Sequence, residues 1–183
     1  MEPILNATVS KIEAARRQLK TAIELWFADG DVVSINTLAS ASHQIIHDLN
    51  HNVKNEPLIL DRPELTKEQR KLFANVVKFP TNFFKHADRG DSAESTRIEF
   101  DPLINEMFIS IATQGLKQMG YVFNGHEMAF CAWEAIHHPE VLNDESKQIL
   151  ESMFSTEAIG SLKKIARKEF LNYALPIFTQ ASA

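Results

Sequence analysis

The sequence predicts an all-α fold, a single-domain helical bundle of about six to seven helices that begins with an antiparallel helical hairpin. Three observations carry this. Apolar residues recur at three- and four-residue spacing along most of the chain, the period of one face of a helix. No segment alternates convincingly as a strand. The 183 residues suit one domain with a sizeable core, so residues 1–183 are read as one helical domain with a polar loop at about 87–98.

The first helix is expected over about residues 3–28, with Leu5, Val9, Ile12, Leu19, Ile23 and Trp26 as its apolar stripe. Arg16 falls on that stripe, either as a stem whose head reaches water or as an arginine held by a carboxylate or a ligand anion. Asp29-Gly30-Asp31 ends this helix and starts the next, because glycine suits a C-terminal cap and aspartate an N-cap. So short a link implies a hairpin. The second helix runs to about residue 51 with Ile35, Leu38, Ser42, Ile45 and Leu49 as its seam.

A connector from Val53 to Pro63 holds the apolar patch Leu58-Ile59-Leu60. Thr66-Lys67-Glu68-Gln69 reads as a capping box. The third helix should bury Leu72, Phe73, Val76 and Val77, and Pro80 should stop it. Residues 81–98 are irregular. Asp101-Pro102 is a good helix start. Leu103, Ile104, Met107, Phe108 and Ile111 give the next helix its buried face, and Gly120 closes it. Another helix runs from near Asn124 to before Pro139 and packs Phe130, Trp133 and Ile136. A short one follows Asn143, and the last starts after Ser155 and carries Ile159, Leu162, Ala166, Phe170, Tyr173 and Ile177.

A net charge of −5 with scattered basic residues argues against nucleic-acid binding, which needs a basic surface to displace counterions. The N-terminus lacks the basic start and apolar run of a signal peptide, and no apolar stretch reaches the roughly 20 residues of a membrane span. A cytoplasmic protein without membrane contact is expected. The single cysteine, Cys131, excludes an intramolecular disulfide and sits on a helix face that should bury it as an inert thiol.

Two groups of residues could carry chemistry. His43, His47 and His51 are spaced as imidazoles that share a metal on one helix, and Glu134 with His137 has the spacing of carboxylate-bundle ligands. His43 and His47 nevertheless project away from the apolar seam. They are expected to face solvent or a partner beside Asn36 and Ser40, as weak metal candidates only. The second group is Asn82-Phe83-Phe84-Lys85-His86-Ala87-Asp88 with Arg89, in which polar groups tethered by aromatics could bind an anion or act as acid and base. If the protein is an enzyme, His86, Lys85 and Asp88 are its catalytic candidates, and Arg16, Arg89 and Asn82 its ligand-binding ones. A glycine-rich phosphate loop, a nucleophile elbow and a Cys-x-x-Cys site are absent, and no cofactor is expected.

Ala14-Ala15-Arg16-Arg17-Gln18-Leu19, Ser34-Ile35-Asn36-Thr37-Leu38-Ala39 and Phe84-Lys85-His86-Ala87-Asp88 together resemble a bacterial family of small helical proteins with no assigned activity. The resemblance covers most of the chain and implies a bacterial cytoplasmic protein. In general architecture the chain is also similar to the HEPN helical bundles, many of which are RNases or parts of toxin systems. Their motif is an arginine followed by histidine after four to six residues, and none of the seven histidines here has an arginine at that distance upstream.

The leading expectation is a non-enzymatic binding or interaction protein, homodimeric through helix faces, with a further protein partner or a small anionic ligand. The alternative is a hydrolase or transferase acting on an anionic or phosphorylated small molecule through Lys85, His86, Asp88 and Arg89. In that case His86 and Arg16 should converge on one pocket.

Overall fold

A computed structural model describes residues 7–86, 97–142 and 144–181, and these are all-helical, with no strand among them. Helix α1 (Lys11–Phe27) starts later than the apolar stripe suggested. Ser10 caps it by a reciprocal box: the Glu13 N–H donates to Ser10 Oγ at 3.3 Å, and the Ser10 N–H donates to Glu13 Oε2 at 2.8 Å. Leu5 lies outside the described residues. Helix α2 (Val32–Asn52) returns antiparallel, its first turn capped by Asp31, which accepts from the Ser34 N–H at 2.8 Å. In the turn between them Asp29, not Gly30, takes the left-handed conformation, at φ 52°. Gly30 is needed for closeness instead, since a Cβ there would lie 3.0 Å from the Leu25 carbonyl oxygen.

After the connector comes α3 (Lys67–Phe73), begun by the expected box between Thr66 and Gln69. Pro80 does not stop it. The helix widens into a π-helical stretch, Ala74–Lys78, and runs on as α4 (Phe79–Lys85). Proline removes an amide and crowds the carbonyl four residues back. The wider π turn shifts that carbonyl, so Pro80 is buried inside a continuous rod. The rod's buried face is thin. Val77 is buried, whereas Leu72 and Val76, expected in the core, stand in solvent.

Helix α5 (Leu103–Gln118) begins where Asp101 Oδ1 accepts from the Leu103 N–H at 2.9 Å, and Gly120, at φ 77°, closes it. Leu103 itself is exposed. Helix α6 (Gly125–His137) is capped by Asn124, and α7 (Asp144–Met153) follows. The final helix of the sequence reading divides in two, α8 (Thr156–Leu162) and α9 (Arg167–Ala181). Between them the amides of Lys164 and Ile165 bond carbonyls three residues back, which tightens the turn. Arg167 then fixes the new direction, with its guanidinium 4.6 Å over the Trp26 ring and paired with Asp29. Counting α3 and α4 as one rod, the described residues hold eight helices rather than six or seven.

The core joins α1, α2, α5, α6 and α9. Leu19, Ile23 and Phe27 meet Ile46, Ile109 and Leu116, and an aromatic cluster of Trp26, Phe27, Phe130, Trp133 and Phe170 closes one end. Among the described residues no helix is long and apolar enough to cross a membrane.

Candidate anion pocket

Helix α2 buries more than its apolar seam. Asn36, Ser40, Ser42, His43 and Asn50 are buried as well, because α4 and α5 pack over the polar side of the helix. The polar groups are joined across the helices. Asn36 Nδ2 donates to Asn105 Oδ1 on α5 at 2.9 Å, and Asn105 Nδ2 donates to the Val32 carbonyl at 2.9 Å. Thr81 of α4 donates its hydroxyl to Asn36 Oδ1 at 3.1 Å. One turn further along both helices, Lys85 Nζ donates to Ser40 Oγ at 3.3 Å. These rungs hold α4 against α2 and place Lys85 at a pocket of about 170 Å³ lined by Ser40, His43, Gln44, Val77, Lys78, Thr81, Asn82, Lys85 and Phe108.

The expectation that His43 faces solvent is therefore overturned. It is 8% exposed, with its ring 5.3 Å from that of Phe108. Burial, reinforced by His47, pushes its pKa down to about 4; Asp61 pulls the other way, Lys78 lowers it, and Asp48 raises it. The imidazole is thus neutral at pH 7. Its Nε2 has no hydrogen-bond partner among the described residues. Partial burial also holds the Lys85 amine below its ordinary pKa.

His47 turns elsewhere. It is half-buried, with Nε2 2.8 Å from Asp61 Oδ2 and Nδ1 3.1 Å from Asp48 Oδ1. Among the described residues no group of three or more His, Cys, Asp or Glu side chains is placed to hold a metal. His137 stacks on Trp133 with ring centroids 3.6 Å apart, rather than joining Glu134.

Arg16 is held by a carboxylate of the protein. Its Nε donates to Glu127 Oε1 at 3.0 Å and its Nη2 to Glu127 Oε2 at 2.7 Å, while Nη2 also reaches the Val122 carbonyl at 3.0 Å. Glu127 is fully buried and also caps α6 through the Asn124 N–H, so this fork ties α1 to the start of α6. The pocket that holds Lys85 and Asn82 is lined neither by Arg16 nor by His86. His86 ends α4, its backbone N–H donating to the Asn82 carbonyl at 3.1 Å. Asp88 and Arg89, with most of the expected 87–98 loop, lie outside the described residues.

Cys131 is a free thiol, pushed up to about 12 by burial and by the nearby Glu134 and Glu127 carboxylates. A second hollow, apolar and about 420 Å³, lies between the connector, α3, α5 and α6. Ile59, Leu65, Phe73, Leu103, Met107 and Ile111 line it, with Glu106, Glu134 and His138 at its polar edge. Glu106 and His138 are paired at 3.2 Å, and burial raises the Glu134 carboxyl above its ordinary range.

The sequence singled out Lys85 and Asn82 but separated them from His43 and Ser40. The signal that joins them was present: Asn36, Ser40 and His43 form a polar stripe at helical spacing on α2. Periodicity shows that such a stripe exists, but not which neighbour covers it. Comparison of the chain with protein-family models, with curated proteins and with solved structures gives no match.

Proposed function

We propose that this chain is a cytoplasmic, non-enzymatic binding protein that acts as a homodimer joined through helix faces. One observation carries the reading: Leu72, Val76 and Phe79 on the α3–α4 rod are 62%, 48% and 58% exposed and follow one another at helical spacing. A rod of this length that turns large hydrophobes to water gains by being covered, by roughly half of the 1.5–3 kcal/mol that full burial of an exposed side chain brings, since each is already about half buried. Phe73 of the same rod, with the exposed Ile59 and Leu103, lines the apolar hollow beside α5.

A second copy is the occupant that charge favours. The hollow carries Glu134 and Glu106, the latter paired with His138, whereas the rod is net basic, exposing Lys67, Arg70, Lys71 and Lys78 against the single acid Glu68. Two copies related by a two-fold axis each offer the basic rod to the acidic, apolar hollow of the other, so the contact is self-complementary. The single unpaired cysteine fits a reducing compartment.

Light scattering on the purified full-length chain tests the reading. The expected mass is twice the 20.7 kDa of one chain. Val76→Asp on the rod should return it to the monomer with unchanged helix content, while Ile177→Asp, at a separate exposed site on α9, should leave the dimer intact. A monomeric wild-type protein at tens of micromolar, a concentration of the order at which weak dimers form, would overturn the homodimer.

A further inference from the structure

We propose that the pocket between α2, α4 and α5 binds a small molecule through an oxyanion, a carboxylate or a phosphate, with His43 Nε2, Lys85 Nζ and the Asn82 amide as its donors. The first reason is the histidine. His43 is more than nine-tenths buried and lines the pocket, yet its Nε2 has no partner among the described residues. Buried polar atoms are almost always paired, so one left unpaired on a residue that lines a cavity marks the place of a missing partner.

The second reason is charge. Lys78 and Lys85 line the pocket, and none of its described lining residues is a carboxylate, in a chain whose net charge is −5. The acids that act on His43, Asp48 and Asp61, are engaged elsewhere. Asp48 accepts from Gln44 at 2.9 Å and meets His47, and Asp61 meets His47 at 2.8 Å. Neighbouring hydroxyls are also committed, Ser40 to the Thr37 carbonyl at 3.2 Å and Thr81 to Asn36. Lys85 spends one of its three N–H groups on Ser40, which leaves donors for an anion.

Size and walls complete the definition. About 170 Å³, with Val77 and Phe108 as apolar surface, suits a small organic acid or phosphate and is too small to enclose a nucleotide. The imidazole needs no proton for this role. As the Nε2–H tautomer it donates while neutral, and the lysines supply the charge. None of the three donors belongs to the exposed stripe, although Lys78 borders both the pocket and the stripe.

The test follows the ring nitrogens of His43 by NMR in the full-length protein, titrated with inorganic phosphate or with acetate at constant ionic strength. A saturable shift of Nε2 with either anion, accompanied by a rise in the His43 pKa, is expected, because an anion at the pocket stabilises the imidazolium. The tighter of the two probes identifies the headgroup. Lys85→Gln should weaken binding by about ten- to hundredfold, the worth of one charge-assisted hydrogen bond. His43→Leu, with helix content retained, should abolish it. If neither anion moves the His43 pKa, or if Lys85→Gln binds as tightly as the wild type, the site is not an oxyanion site.

Discussion

A neutral histidine enclosed by helices makes stability depend on pH in a calculable direction. The His43 pKa falls from 6.5 to about 4 on folding, so between these values the unfolded chain binds the extra proton. The contribution of His43 is fully present above pH 6.5 and is lost as pH falls towards 4, a total of about 3 kcal/mol. Glu134 acts oppositely, since its raised carboxyl pKa favours proton uptake by the folded state. A comparison of wild type with His43→Leu removes that background. At pH 7.5 the variant should already be more stable by about 1–3 kcal/mol, because it no longer buries an unpaired ring nitrogen. Its advantage should widen as pH falls from 6.5 to 4, as urea unfolding at several pH values will measure; a constant gap would mean that His43 does not titrate as a buried group. Arg16 illustrates the same scale from the sequence side. Its place on an apolar stripe left two readings open, a stem whose head reaches water and an arginine held by an anion, and only the fold decides for the second and identifies the anion as Glu127, 111 positions away.

Helices end or continue here for reasons that local sequence states unequally. Thr66 with Gln69 is a reciprocal cap expected from its short pattern, whereas the boxes of Ser10 with Glu13 and Asn124 with Glu127 emerge only in the structure, the first of them because the apolar stripe runs on ahead of Ser10. Pro80 misleads, because a π-helical stretch accommodates it; that widening is held by α4 packing on α2, through Thr81 with Asn36 and Lys85 with Ser40. The approach of α5 to α2 rests on Gly115. A Cβ there would lie 2.5 Å from Cγ2 of Ile46, a buried β-branched side chain with little freedom to move. Gly115→Ala should therefore destabilise the fold. Overpacking costs about 1–3 kcal/mol, against the roughly 1 kcal/mol that alanine gains over glycine within a helix. Thermal unfolding will show a lower midpoint, and a higher one would mean that α5 can shift away from α2 at little cost.

Across the molecule, burial is uneven. α1, α2, α5 and α6 contribute most of the fully buried side chains, whereas the α3–α4 rod contributes Val77 and Pro80. Hydrogen exchange should follow this division, with α3 amides exchanging faster than those of α1 and α5 in the Val76→Asp variant, because fewer buried contacts resist local opening. Equal protection would show that the rod opens only with the whole fold. The helical period and the box at Thr66 and Gln69 were determined by the sequence, since each depends on residues within a turn or two of one another. The same holds for the hydrophobes of the main core. Which polar face would be covered, and by what, was decided only by the tertiary structure. His43, Ser40 and Asn36 share a stripe whatever the fold, but their burial depends on α4 lying across them, and α4 exists because Pro80 is absorbed. Likewise Leu72 and Val76 carry the period of a core-facing helix. Their exposure follows from the rod meeting the bundle along its other side, a choice made by long-range packing that no local pattern encodes.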